Sequence, residues 1–239
     1  MILTPVEWLI ASLVLVAGST LQGAVGTGIG LVSVPLLALI EPRLVPGSAL
    51  FSSLALTGLM LVRERRAVDL FGVKWGIVGR IGGTLVASYL LVSLPAEETR
   101  LIIGALVLLG VVLSVSGLSV TRTTGTLIGG GVLSGVMGTL ASVGGPPMAL
   151  LYQDADGPKI RATLAGFFIL GTNISLLALI LVGNFGWSQF ITSLTLVPGV
   201  VLGYLLSGRV KVWLDKGYMR PAILTVCAAS ALAVIVKQF

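Results

Sequence analysis

The chain has 239 residues, 56% of them hydrophobic and only 10% charged, with a mean hydropathy of +1.08. That is too little charge to cover a soluble globule, so the composition points to an integral membrane protein with no soluble domain left over. The net charge of +6 does not indicate a nucleic-acid partner, because the basic residues lie in short loops between apolar runs and act there as orientation signals.

The apolar runs in chain order are residues 6–40, 45–62, 70–94, 100–118, 124–151, 160–183, 187–207 and 219–236. Most approach the roughly 20 residues that span hydrocarbon. The first run opens on Glu7 where a signal peptide would carry basic residues, so residues 6–22 read as retained structure. Within it, LQGAVGTGIGLVSVP (21–35) replaces the expected Leu and Val with small residues. The third run contains Gly79, Gly82, Gly83 and the well-embedded Arg80; the fifth carries LSGVMGTLASVGGPP (133–147), and the sixth Asn173. Cys227, in the last run, is the one cysteine, which excludes an intrachain disulfide and reads as a small buried hydrophobe. With no histidine either, zinc and haem sites of the usual kinds lack ligands, and no cofactor is expected.

The two small-residue stretches are one pattern repeated. Leu21, Gly23, Gly26, Thr27, Pro35 and Leu39 recur 112 positions later as Leu133, Gly135, Gly138, Thr139, Pro147 and Leu151, and Trp75 as Trp187. The predicted organisation is therefore two repeats, 1–120 and 121–239, within one membrane domain. Eight single crossings would divide the loop bases six against eight, which is no bias. Turning runs 6–40 and 124–151 into hairpins leaves Arg43, Arg100 and Lys237 on one side and eleven bases on the other. That asymmetry predicts an all-α polytopic membrane protein of two inverted repeats, each a re-entrant or broken helix hairpin plus three transmembrane helices. Both termini would then be extracytoplasmic in a multi-pass protein of the cell membrane. The 28-residue second hairpin predicts two legs of about 14 residues, with Trp8 and Trp187 at the outer face and Trp75 and Trp213 at the inner one.

Paired interruptions in corresponding halves are the sequence mark of a transporter's binding site. A half-helix that starts inside the membrane presents unpaired N–H groups and partial positive charge, which suits an anion. Gly26, Gly28 and Gly30 precede one such leg and Gly144 and Gly145 the other, with Thr27, Ser33, Thr139 and Ser142 adding hydroxyls and the proline after each stretch marking the restart. Gln22, Asn173 and Arg80 complete the candidate substrate-binding set, although Asn173 and Gln22 also suit interhelical bonding and Arg80 also suits helix packing or snorkelling towards the end marked by Lys74 and Trp75. Gly79, Gly82, Gly83 and Gly129 to Gly131 read as close helix packing. All nine acids lie in loops or at run ends, so no mid-depth carboxylate is available for a proton relay or a cation counter-charge.

GAVGTGIGLVSVP followed by a polar break, and GVMGTLASVGGPPMALL opening the second half, resemble the duplicated signature of the sulfite exporter TauE/SafE family of membrane permeases. The resemblance covers the whole chain and implies movement of sulfur-containing or carboxylated anions such as sulfite, sulfoacetate and other sulfonates. The first motif departs from the family's frequent glycine triplet, reading Gly28-Ile29-Gly30. An enzyme is not expected: Ser–His and Cys–His pairs are excluded, no two carboxylates share a run at helical spacing, and the glycines lack a βαβ context. The reading is a permease for small organic or sulfur-containing anions, partnered by its substrate and the bilayer; the alternative is a membrane scaffold or assembly subunit whose glycines serve packing.

Overall fold

The computed structural model describes residues 3–118 and 120–214, with the side chains of residues 64, 96, 115 and 210–214 outside the description. The eighth apolar run with Cys227, and the side chain of Trp213, therefore lie outside it. Within the described residues the chain is helical, without strands: α1 (Pro5–Val25), α2 (Ile29–Ile40), α3 (Gly47–Glu64), α4 (Leu70–Ser93), α5 (Ala96–Val115), α6 (Thr124–Ala141), α7 (Gly145–Tyr152), α8 (Gly157–Leu181) and α9 (Trp187–Leu214). By length and composition α1, α4, α6, α8 and α9 are each able to cross a membrane.

Both long small-residue runs are broken helices, and local chemistry sets where each breaks. At the start of α1, Thr4 Oγ1 accepts from the Glu7 amide (3.3 Å) while the Glu7 carboxylate accepts from the Thr4 amide (2.8 Å). The helix stops at Gly26, whose φ of +103° favours glycine, and α2 restarts after Gly28 at φ +135°. The helix α6 stops at Ser142, a non-glycine residue in the left-handed region (φ 54°), and α7 restarts at Gly145 with Pro146 and Pro147 in its first turn. The second hairpin thus has legs of 18 and 8 residues rather than two of about 14. The repeat also shifts. The two left-handed caps, Gly26 and Ser142, and the two helix starts, Ile29 and Gly145, correspond at an offset of 116, not 112. Pro35 accordingly falls inside α2 instead of at its restart, whereas Pro146 and Pro147 do mark the start of α7.

Packing joins the halves crosswise. In the α4–α6 contact Gly79 and Gly83 face the carbonyls of Ile128 and Val132, and Gly131 faces the carbonyl of Gly76. Residue numbers rise together along both helices, so α4 and α6 run parallel. The same holds for α1 and α9, where Trp8 Nε1 donates to Thr195 Oγ1 (3.1 Å), Thr20 Oγ1 to the Gly203 carbonyl (3.0 Å), and Gly23 lies against Ser207. Between these pairs α3 and α8 run antiparallel, with Gly47 beside Phe185 and the Asp69 amide donating to Thr163 Oγ1 (3.0 Å). One end of the bundle consequently holds Thr4, residues 41–46 and the start of α5, with Arg43 and Arg100. The other holds residues 65–69, 120–123 and 153–156, with Arg63, Arg65, Arg66, Lys74, Arg122, Lys159, Arg161 and Arg209.

The packing expectation holds for Gly79, Gly83 and Gly131, and Gly130 lies against Leu151; Gly82 and Gly129 face open space. Alanine at Gly79, Gly83 or Gly131 would press a methyl onto backbone and should cost about 1–3 kcal/mol. At Gly82 or Gly129 it should be neutral or gain up to about 1 kcal/mol in helix propensity. Thermal unfolding of the purified protein in detergent checks both sets.

Candidate functional site

The two breaks meet at one small cavity of about 20 Å³, lined from the first break by Gln22, Thr27, Gly28, Ile29, Gly30 and Leu31 and from the second by Ser142, Val143, Gly144, Gly145 and Pro146. The contact between the breaks is direct. Gly30 lies against the Ser142 carbonyl and Gly145 against Thr27 Oγ1. Arg80, from the middle of α4, and Phe168 and Thr172, from the middle of α8, close the cavity halfway along those helices. Its volume is room for about one water.

Arg80 is 1% exposed, so the snorkelling expectation does not hold. Other helices hold its guanidinium inside the bundle. Nη1 donates to Ser134 Oγ (2.8 Å) and to the Ser134 carbonyl (3.1 Å), Nη2 donates to Ser175 Oγ (3.2 Å), and the Phe167 ring lies 5.4 Å away. Among the described residues no acid pairs with it. Nε has no hydrogen-bond partner. Glycines make the space: a Cβ at Gly138 would stand 2.6 Å from Nη2, one at Gly144 2.7 Å from Nη1, and one at Gly171 against Nε.

The amides at the two helix starts differ. Gln22 Oε1 accepts the Ile29 N–H (3.1 Å), and its own Nε2, on a side chain 3% exposed, is unpartnered. Helix geometry leaves the next two amides, of Gly30 and Leu31, without intrahelical partners, and both residues line the cavity. At α7 the second and third residues are prolines, so Gly145 alone offers an N–H in the opening turn. On that side Arg80 lines the cavity with the helix start.

Eight of the sequence candidates, Gln22, Thr27, Gly28, Gly30, Arg80, Ser142, Gly144 and Gly145, line this cavity. Four do not. Gly26 caps α1 against Arg161; Ser33 Oγ donates to the Val14 carbonyl (3.3 Å); Asn173 is exposed and donates to Ile169 in its own helix (2.7 Å). Thr139 lies inside α6, behind the arginine, in a hydroxyl chain with Thr84 (3.2 Å) and Ser175 (2.8 Å). Ser134, Thr172 and Ser175 were not singled out by sequence; their signal is a hydroxyl within an apolar run, which is also the commonest packing residue of membrane helices. A second cavity, of about 490 Å³, opens at the Arg43 and Arg100 end and reaches Pro46, whose carbonyl accepts from Ser142 Oγ (2.9 Å) at the wall of the central one.

An all-helical bundle with five helices long and apolar enough to cross a membrane among the described residues is a multi-pass membrane protein. The sequence model of the family described as "Sulfite exporter TauE/SafE" matches residues 10–234, nearly the whole chain, and the protein belongs to that family. No curated protein and no solved structure matches the chain.

Proposed function

We propose that the protein is a permease for small organic or sulfur-containing anions of the sulfite, sulfonate or sulfocarboxylate class, bound where α2 and α7 begin. The observation that carries this reading is the convergence of both breaks and a carboxylate-free arginine on one cavity. The anion's oxygens would take the amides of Gly30, Leu31 and Gly145, the Gln22 Nε2 group and the Thr27 hydroxyl, while Arg80 balances the charge. Because the cavity holds about one water, binding requires the two hairpin tips to part, which couples occupancy to a change of shape. Flux of a labelled sulfonate in proteoliposomes tests the reading. Saturable flux that falls sharply at low substrate in Arg80→Gln is expected, and a scaffold would give none.

The hydroxyls divide by position. Thr27→Val removes a cavity donor and should weaken anion affinity by about 1.5–3 kcal/mol, roughly ten-fold to a hundred-fold. Thr139→Val breaks the hydroxyl chain to Thr84 and Ser175, outside the cavity lining, and should alter affinity less than it alters stability. Equal effects, which the repeat taken at 112 residues would give, would count against the cavity as the site.

We also propose two inverted repeats, residues 1–120 and 121–239. The crosswise parallel pairing supports this: α1 pairs with α9 as α6 does with α4, so the first helices of the two halves start from opposite ends. The basic residues concentrated at the 63–74 end would place that end in the cytoplasm and the N-terminus and 41–46 outside. Accessibility probes at Thr4 and Arg43 should report one face and a probe at Arg65 the other. Opposite faces for Thr4 and Arg43 would remove the hairpin.

A further inference from the structure

The charge of the central cavity can be summed from its walls. Each helix start contributes roughly half a positive charge and each helix end roughly half a negative one. The ends of α1 and α6 lie at the same breaks as the starts of α2 and α7, so the four dipole ends largely cancel. The full charges remain. Of the residues that line the cavity only Arg80 is ionisable, and among the described residues no acid pairs with it. The site thus carries one net positive charge. Arg80 and the unused donor Gln22 Nε2 are on buried side chains, so water does not screen a mismatch there as it would at a surface.

We infer that the site selects anions by charge number, taking a head group with a single negative charge, a sulfonate or hydrogensulfite, and rejecting dianions of the same shape. This rests on the proposed permease site and specifies its ligand. One negative charge neutralises the cavity. A second is left uncompensated in a space closed by Phe168, Leu31 and Val143, where an unpaired charge is expensive.

Methanesulfonate and methylphosphonate separate charge from shape, because they have nearly the same tetrahedral head while the phosphonate loses a second proton in alkaline solution. Binding to the purified full-length protein, read by calorimetry, should favour methanesulfonate over methylphosphonate dianion by about ten-fold or more. Lowering the pH to protonate the phosphonate once should close that gap and leave methanesulfonate unchanged. Uncharged dimethyl sulfone should bind weakly to the protein and no worse to Arg80→Gln, whereas Arg80→Lys should keep the charge order at reduced affinity. Methylphosphonate dianion bound as tightly as methanesulfonate, or an order unaltered in Arg80→Gln, would overturn the charge rule and leave the permease standing. Absence of binding by every one of these compounds would overturn the site itself, and the rule with it.

Discussion

Arg80→Gln should lose anion affinity by roughly ten-fold to a hundred-fold, the equivalent of about 1.5–3 kcal/mol for one charged hydrogen-bonding partner. The shorter, neutral side chain cannot span from α4 to both Ser134 and Ser175, and it takes away the cavity's one full charge. The same substitution need not unfold the protein. A buried cation with an unpartnered Nε and no carboxylate is costly to keep, and exchanging buried charge for apolar volume is often neutral or stabilising. Arg80→Met should therefore hold or raise the melting temperature while transport is lost. If Arg80→Met unfolds at lower temperature and the surviving protein binds the anion normally, the arginine is a packing residue and the cavity is not the site.

Alanine at Gly30 should be among the most damaging single changes outside the arginine. Its methyl would meet the Ser142 carbonyl, and a backbone oxygen at the crossing of two breaks has no rotamer by which to withdraw. Overpacking of this kind costs about 1–3 kcal/mol, and here it also forces apart the two tips that frame the cavity. Gly145→Ala offers the controlled comparison, since its methyl would meet a side-chain atom, Thr27 Oγ1. Thr27→Ala should recover part of the stability lost in Gly145→Ala, with a coupling of about 0.5–3 kcal/mol between the positions. Strict additivity of the two losses in thermal denaturation would show that the breaks do not touch as described.

The broken hairpins could be read from the sequence because one glycine-rich pattern recurs in two long apolar runs, and because Gly26 and Gly28 adopt backbone angles that other residues avoid. The second break was harder to place. Its left-handed residue is Ser142, which carries no local mark, so aligning glycines gave an offset of 112 while the caps themselves align at 116. That shift is why Thr139 stood as the partner of Thr27 although it lies within α6. Arg80 was legible as an embedded cation, but its burial was not, since its proximity along the chain to Lys74 suggested an interface. What fixes it are Ser134 and Ser175, 54 and 95 residues away, contacts that no local pattern encodes. Charge counting put the N-terminus and residues 41–46 at one end, as in the bundle, whereas the crosswise pairing of the helices depends on which glycine faces which carbonyl.

That pairing has a consequence for biosynthesis. The helix α4 meets its partner α6 soon after insertion, with only α5 between them. By contrast α1, bearing the exposed backbone of Gly23, must remain in lipid until α9 supplies Ser207 and Gly203. Assembly therefore includes a late long-range closure, and a nascent chain halted before Trp187 has the arginine and both breaks yet leaves its first helix without its main neighbour.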